Sequence, residues 1–176
     1  MTTATHSAPL GAPDLTGSQR IAVFRALQFG DMLCAVPALR ALRAAAPAAQ
    51  ITLIGLPWAA EFARRFRHYI DDFVAFPGAP EIPEQAVDID GLDTFYRDMQ
   101  ARKFDLALQL HGDGRLTNAI VRGIGARHMA GFFPPDKPVT DARFLPYPEA
   151  DTEIHRLLRL IAALGAPTRG DTLEFP

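Results

Sequence analysis

Short apolar stretches that resemble buried strands alternate with amphipathic stretches of helical spacing along most of the sequence. Because strands that alternate with helices build a parallel sheet covered on both faces, the pattern predicts an α/β protein, a three-layer α/β/α domain of the Rossmann-like kind. The predicted strands are 20–26, 50–56, 72–76, 104–110 and 127–132. The predicted helices are 32–46, 58–66, 92–102, 116–124 and 151–164, whereas the proline-rich stretch 133–148 is predicted to be irregular. Pro37 falls inside the first of these helices, so that helix is expected either to kink there or to begin near Pro37.

The chain is of a length that suits one domain rather than two, with 176 residues. Residues 1–19 contain no Lys or Arg and no apolar run, so they are predicted to be a disordered tail rather than a signal peptide. The folded domain is therefore expected to span residues 20–176.

The composition excludes several classes of protein. A net charge of −2 at pH 7 lacks the basic character of a nucleic-acid binder, so no nucleic-acid partner is expected. Cys34 is the one cysteine, which excludes an internal disulfide and a cysteine-based zinc site and favours a reducing compartment. The histidines show no metal-ligand spacing, so no metal site is expected. No segment reaches the roughly 18 apolar residues of a transmembrane helix.

Parallel sheets bind ligands beyond the carboxyl ends of their strands, so the loop after the first strand is a candidate site. It contains Gln28, Gly30 and Asp31. Gly30 is expected to permit a tight backbone turn. Asp31 has two interpretations: a helix N-cap that accepts backbone amides, or a general base that takes a proton from a hydroxyl. The loop is neither a dinucleotide fingerprint nor a phosphate-binding loop.

Polar residues also follow the fourth predicted strand. His111 could bind substrate or satisfy a loop carbonyl, and Asp113 and Arg115 could pair with each other. The forked guanidinium of Arg115 also suits a phosphate or a carboxylate, and Arg25, at the end of the first strand, has the same two interpretations. Trp58, after the second strand, could stack on a sugar ring or pack beneath its helix.

A set of motifs in a fixed order leads to a resemblance. The motifs are IAVFRA (21–26), Gly30-Asp31, PALRALR (37–43), QITLIGLP (50–57), DDFVAFPG (71–78), FDLALQLHG (104–112), GARHMAGF (125–132) and a helix over 153–164 followed by GAP. In order and spacing they resemble glycosyltransferase family 9, which contains the ADP-heptose:lipopolysaccharide heptosyltransferases. The resemblance covers the chain from about Arg20 to its last residue.

The resemblance implies a GT-B fold of two Rossmann-like domains, in which the N-terminal domain holds the acceptor and the C-terminal domain holds the nucleotide-sugar donor. Transfer would invert the anomeric centre without a metal or another cofactor. Asp31 corresponds to the catalytic base, and Arg25 to a basic residue expected to meet acceptor phosphates. The remaining acceptor-binding candidates are Gln28, Gly30, Trp58, His111, Asp113 and Arg115.

Two departures from the family pattern bear on function. Many relatives have small hydroxyl residues before Gly-Asp, whereas this chain has Leu27-Gln28-Phe29, so the departure argues against lipopolysaccharide as the assured acceptor and leaves three open: a lipopolysaccharide-type glycan, another glycan or a lipid-linked sugar. The sequence also stops where the donor domain, which would bind ADP-heptose, is expected to begin. The fragment alone is therefore expected to be inactive. The family's setting implies a bacterial, cytoplasmic protein that associates peripherally with the inner membrane. The alternative is a stand-alone, non-catalytic Rossmann-like module that binds a sugar or a partner.

Overall fold

The computed structural model describes residues 15–80 and 82–175, which form a parallel sheet of six strands with helices on both faces. The strands are β1 (Arg20–Phe24), β2 (Gln50–Gly55), β3 (Asp72–Ala75), β4 (Leu106–Gln109), β5 (His128–Phe133) and β6 (Phe144–Pro146). The helices are α1 (Phe29–Cys34), α2 (Val36–Ala45), α3 (Ala59–Arg65), α4 (Ile89–Ala101), α5 (Thr117–Gly123) and α6 (Glu153–Ala163). The predicted α/β class with three layers is confirmed.

The strand order is β3-β2-β1-β4-β5-β6, so β1 lies in the middle of the sheet. It pairs in parallel with β2 on one side, where Ile21 faces Ile51, and with β4 on the other, where Ile21 faces Leu106. The chain runs outward from β1 to β3 and then crosses to β4 on the other side. The connections therefore diverge between β1 and β4, which creates a crevice at the carboxyl ends of these two strands.

Alternation along β1 divides the core into two layers, one on each face of the sheet. Ile21 and Val23 face the layer covered by α1, α2, α3 and α6, whereas Ala22 and Phe24 face the layer covered by α4 and α5. The apolar stripe predicted for the last helix is confirmed, since Leu157, Leu160, Ile161 and Leu164 are buried. Among the described residues, no helix is both long and apolar enough to cross a bilayer.

The stretch 133–148, predicted to be irregular, contains the edge strand β6, so that prediction is wrong in part. Gly131 of β5 faces Phe144, and Phe133 faces Pro146. A proline is tolerated there because an edge strand has one side with no ladder to join. Three residues, the last of them a proline, are too short to give a strand-like pattern in the sequence.

The helix predicted over 32–46 is two helices that meet at Ala35. The first, α1, begins at Phe29, and Pro37 lies in the first turn of α2. A proline is accepted in a first turn, where its missing N–H has no partner to lose, but not in the interior of a longer helix. Pro37 therefore accounts for the break between α1 and α2.

The predicted disordered tail, 1–19, lies outside the described residues as far as residue 14. Leu15–Gly17 forms a short 3-10 helix, and the side chain of Leu15 is 2% exposed within the layer that contains α2. The folded part therefore reaches back beyond Arg20, because one leucine fills a position in the core.

Replacing Leu160 with Ala should lower the free energy of unfolding by about 2–5 kcal/mol, because it leaves a cavity under α6 at a fully buried position. Ala162→Ser, on the exposed side of the same helix, should change it by less than about 0.5 kcal/mol. Urea unfolding followed by circular dichroism measures both. Equal effects would mean that α6 does not cover the sheet as described.

Candidate functional site

The crevice between β1 and β4 gathers polar side chains from the loop 25–28, from α1 and from the loop 110–116. Arg25 follows β1, and its side chain lies on the face of the sheet that α6 covers. His111 follows β4, and its side chain lies on the face that α5 covers, where it stacks on Phe24. The two side chains therefore lie on opposite faces of the sheet at the same edge.

Arg25 is completely buried, with 0% of its side chain exposed. Its Nε and Nη2 donate to the carbonyl oxygen of Asp31 at 3.1 and 2.7 Å, and Nη1 donates to the carbonyl oxygen of Leu110. Nη2 also donates to Oε1 of Glu153 at 3.0 Å. The guanidinium thus joins the ends of β1 and β4 to the start of α1 and of α6.

These contacts correct the expectation that Arg25 meets acceptor phosphates. In this conformation the guanidinium has no exposed surface and its donors are directed at protein oxygens. The residue holds the backbone on which Asp31 is carried. Arg25 is buried because its side chain lies on the α6 side of β1, where α6 covers it and the Glu153 carboxylate pairs with it.

Asp31 is the third residue of α1, and its side chain is exposed. The N-cap position belongs to Gln28, whose exposed side chain makes no capping hydrogen bond. Within residues 15–80 and 82–175, the Asp31 carboxylate has no hydrogen bond or ion pair. The N-cap interpretation is therefore wrong for this residue, and the carboxylate is free to accept a proton or a hydroxyl hydrogen bond from a ligand. Its role as a base stays a prediction.

Gly30 is not at a tight turn, contrary to the expectation. It lies within α1 and does not adopt positive φ, so any residue fits its backbone. A Cβ built at this position meets nothing within 4 Å. The glycine leaves open space beside Asp31, which is consistent with a ligand that approaches the backbone closely.

His111 is half-buried at the end of β4, and its ring stacks on Phe24 with 5.8 Å between centroids. Its Nδ1 accepts from the backbone N–H of Ala26 at 3.3 Å. Burial, with the nearby positive charge of Arg25, lowers the pKa of His111 to about 4. The ring is therefore neutral at pH 7, and because Nδ1 is an acceptor, Nε2 carries the hydrogen and can donate it.

A buried polar network, which the sequence analysis did not identify, shapes the loop after β4. Gln109 is fully buried, and its Nε2 donates to Oγ1 of Thr117 at 2.6 Å. Thr117 donates in turn to the carbonyl oxygen of His111 at 2.8 Å, and the backbone N–H of Phe132 donates to Oε1 of Gln109 at 3.3 Å. The available signal was a glutamine inside an apolar strand, since a buried amide needs partners.

Asp113 and Arg115 make contacts with protein groups. Oδ1 of Asp113 accepts the backbone N–H of Arg115 at 2.9 Å, and the two side chains approach to 3.6 Å. The guanidinium of Arg115 binds both carboxylate oxygens of Asp136, a partner that the sequence did not suggest, and this lowers the pKa of Asp136. Because the pair is exposed, a ligand anion could replace Asp136 at small energetic cost.

Trp58 lies apart from these residues. Its ring contacts Phe29 at 5.9 Å between centroids, beside an apolar cavity of about 370 Å3 whose walls also include Phe62 and Phe66. Phe29 lies two residues from Asp31 and so on the opposite side of α1, since a helix turns about 100° per residue. The cavity beside Trp58 thus does not face the Asp31 carboxylate.

The described residues contain no group of three His, Cys, Asp or Glu side chains able to hold a metal ion. Cys34, on α1, is half-buried, and burial raises the pKa of its thiol. It is therefore a protonated thiol at pH 7 and a poor nucleophile.

Solved structures with the same fold include glycosyltransferases. The glycosyl transferase family 9 structure from Veillonella parvula DSM 2008 matches with a TM-score of 0.70 and 21% identity, over 92% of this chain and 44% of that chain. E. coli heptosyltransferase WaaC with ADP-2-deoxy-2-fluoro heptose matches with a TM-score of 0.61 and 14% identity, over 85% and 50%. E. coli heptosyltransferase WaaC with ADP matches with a TM-score of 0.62 and 16% identity, over 85% of this chain and 49% of that chain.

The resemblance noted in the sequence is thus confirmed at the level of the fold. The chain spans about half the length of these solved structures. No protein-family model and no curated protein sequence matches it.

Replacing Arg25 with Met should lower the free energy of unfolding by about 3–5 kcal/mol, because Glu153 and two carbonyl oxygens lose a buried partner. Arg159→Met is the control. Its ion pair with Asp151 is largely exposed, so its loss should cost less than about 1 kcal/mol. Urea unfolding measures both, and a small effect of Arg25→Met would show that the guanidinium does not hold this edge together.

The buried, neutral state of His111 should make the domain less stable in acid. The unfolded chain binds a proton at a histidine pKa of about 6.5, whereas folded His111 binds one only near a pKa of about 4. Between these values the unfolded state holds more protons, so the free energy of unfolding falls as the pH falls.

His111→Gln should remove this contribution. We expect a smaller loss of stability between pH 7 and pH 4.5 in the variant than in the wild type, measured by urea unfolding at both pH values. His155→Gln, at an exposed position on α6, should keep the wild-type pH dependence. Parallel profiles for wild type and His111→Gln would contradict the buried, neutral histidine.

Proposed function

We propose that this chain is the acceptor-binding half of an inverting glycosyltransferase of the family 9 type. The enzyme would transfer a sugar, heptose by analogy with WaaC, from a nucleotide-sugar to a lipopolysaccharide-type or other glycan acceptor. The fold shared with the glycosyltransferase structures supports the class. The observation that carries the chemistry is the Asp31 carboxylate, which is exposed at the carboxyl edge of the sheet without a protein partner among the described residues.

In the proposed reaction the Asp31 carboxylate takes the proton of an acceptor hydroxyl. The hydroxyl oxygen forms a bond to the anomeric carbon of the donor sugar as the bond from that carbon to the phosphate oxygen breaks. The electron pair of the broken bond leaves with the nucleoside diphosphate. A single displacement of this kind inverts the anomeric centre. General-base catalysis of this type contributes about 10²–10⁴-fold to a rate.

The neighbouring residues would position the acceptor. The Nε2–H of His111 can donate to a sugar oxygen, and Asp113 can accept from a hydroxyl. Arg115 could exchange Asp136 for an acidic group of the acceptor, and Gln28 and Gly30 flank Asp31 on the open side. Arg25 acts indirectly, because its hydrogen bonds to the carbonyl oxygen of Asp31 hold the carboxylate in place.

The donor would be held by a second Rossmann-like domain, as the resemblance implies, and ADP-heptose is the donor we expect by analogy with the ADP-2-deoxy-2-fluoro heptose and ADP bound to WaaC. A GT-B enzyme places donor and acceptor in the cleft between its domains, so the carboxyl edge described here would face that cleft. We expect the enzyme to work in the bacterial cytoplasm, peripherally at the inner membrane.

Asp31→Asn should reduce kcat of the complete enzyme by about 10²–10⁴-fold, because the amide cannot accept the proton. Acceptor binding should change little, since the amide keeps the shape and one acceptor oxygen. Asp98→Asn, an exposed position on α4, is the matched control and should keep the wild-type rate. Transfer is measured from release of the nucleoside diphosphate, and folding is checked by thermal unfolding.

Two results would contradict the proposal. Near wild-type turnover in a folded Asp31→Asn protein would mean that another group accepts the proton. Acceptor binding without transfer, when the complete protein is given a panel of nucleotide-sugars, would favour the non-catalytic sugar-binding module instead.

A further inference from the structure

A second cavity opens at the carboxyl edge, on the α5 face of the sheet and apart from the apolar cavity beside Trp58. Its volume is about 220 Å3. It lies between the segment 82–84, which follows β3, and the loop after β4. Its walls are formed by Ile82, Pro83, Glu84, His111, Gly112, Asp113, Leu116 and Thr117.

Glu84 is the unusual member of this cavity. Its Oε2 atom is buried and has no hydrogen-bond partner among the described residues. A buried carboxylate oxygen without a donor is costly, and native proteins rarely keep one. The Glu84 side chain lines the cavity, and the cost would be recovered if it turned so that a ligand there donated a hydrogen bond to that oxygen.

The other polar groups of the cavity complement the Glu84 carboxylate. His111 offers its Nε2–H as a donor because its Nδ1 is taken by the Ala26 amide. Asp113 adds a second carboxylate. Gly112 has φ of +65°, and a Cβ built there meets nothing within 4 Å, so the backbone at this wall is uncovered. The cavity therefore presents several acceptors and one neutral donor.

The apolar walls are equally informative. Ile82 and Pro83 line one part of the cavity and Leu116, which is 49% exposed, lines another. Apolar side chains beside carboxylates suit a molecule that has C–H faces and an edge of hydroxyl groups. Two carboxylates disfavour a phosphate or another anion, and the described residues hold no three-ligand metal group.

We propose that this cavity binds one ring of the acceptor sugar, with the Glu84 carboxylate accepting from its hydroxyls and His111 donating to one of its oxygens. The inference rests on the proposed function, since it names a subsite for that acceptor. A volume of about 220 Å3 is below the range of about 300–1,000 Å3 for pockets that enclose drug-sized ligands. It therefore fits a single ring rather than an oligosaccharide.

The test is titration of the 15N-labelled 176-residue chain with the methyl glycosides of glucose, galactose and mannose, followed by two-dimensional NMR. At least one glycoside should give saturable shifts at the amides of Glu84, Gly112 and Asp113. Glu84→Gln should weaken that binding by about tenfold or more, because a charge-assisted hydrogen bond is lost. Asp98→Asn, the control, should leave it unchanged.

Two further measurements separate a ligand-binding role of Glu84 from a structural one. Glu84→Gln should leave the urea midpoint unchanged or raise it, because the carboxylate that it removes has a buried oxygen without a hydrogen-bond donor among the described residues. Cyclohexanol, a ring with one hydroxyl, should not saturate the cavity. The fluorescence of Trp58, the single tryptophan of the chain, should stay constant as the glycosides bind, since it lines the other cavity.

The proposal fails if Glu84→Gln binds the glycosides as tightly as the wild type, if it lowers the urea midpoint, or if no glycoside gives saturable shifts. Equal binding of cyclohexanol, or a response of Trp58 fluorescence, would also overturn it. These results are independent of the Asp31→Asn assay. Sugar binding can hold while the catalytic base proves wrong, and transfer can require Asp31 while this cavity proves empty of sugar.

Discussion

The carboxyl edge of this domain is organised by one buried guanidinium. Arg25 ends the central strand, and its donors reach the carbonyl oxygens of Asp31 and Leu110 and the carboxylate of Glu153. These partners belong to α1, to the end of β4 and to α6. A buried charge is tolerated only when it is paired and hydrogen-bonded, so the position of each segment depends on the others. The start of α1 is thereby fixed although the helix has only six residues.

The same charge acts through the sheet on the opposite face. His111 lies on the α5 side, yet the positive charge of Arg25 contributes, after burial, to the lowering of its pKa. The imidazole is therefore a neutral donor rather than a cation. A neutral donor suits a cavity that Glu84 and Asp113 also line, because it can donate a hydrogen bond to a ligand without carrying a charge opposite to theirs. Arg25 thus hydrogen-bonds the backbone of Asp31 and, second to burial, lowers the pKa of His111.

The strands of the sheet were predictable because their apolar runs are dictated by burial on both faces. The edge strand β6 was not predictable, since three residues that end in a proline carry no such pattern. In the candidate site, Asp31 and His111 could be found because they follow strands that end at the crevice. The tight turn predicted at Gly30 was wrong, because the presence of a glycine in the sequence does not show whether its φ is positive. The contacts of Arg25 and the lack of a partner for the Glu84 oxygen depend on segments that are far apart in sequence, so no local sequence pattern predicts them.

The two proposals use the carboxylates of Asp31 and Glu84, which differ in exposure as their proposed roles require. A base must be reached by a hydroxyl and released again, which an exposed side chain such as Asp31 allows. A group that selects a ligand binds it more strongly when its oxygen is shielded from water, as the unpartnered Glu84 oxygen is. Asp31 lies on α1, which covers one face of the sheet, whereas Glu84 lines a cavity beside the layer on the other face. If both proposals hold, the ring beside Glu84 and the hydroxyl that Asp31 deprotonates lie on different sides of the edge, an arrangement that an acceptor of more than one sugar unit can satisfy.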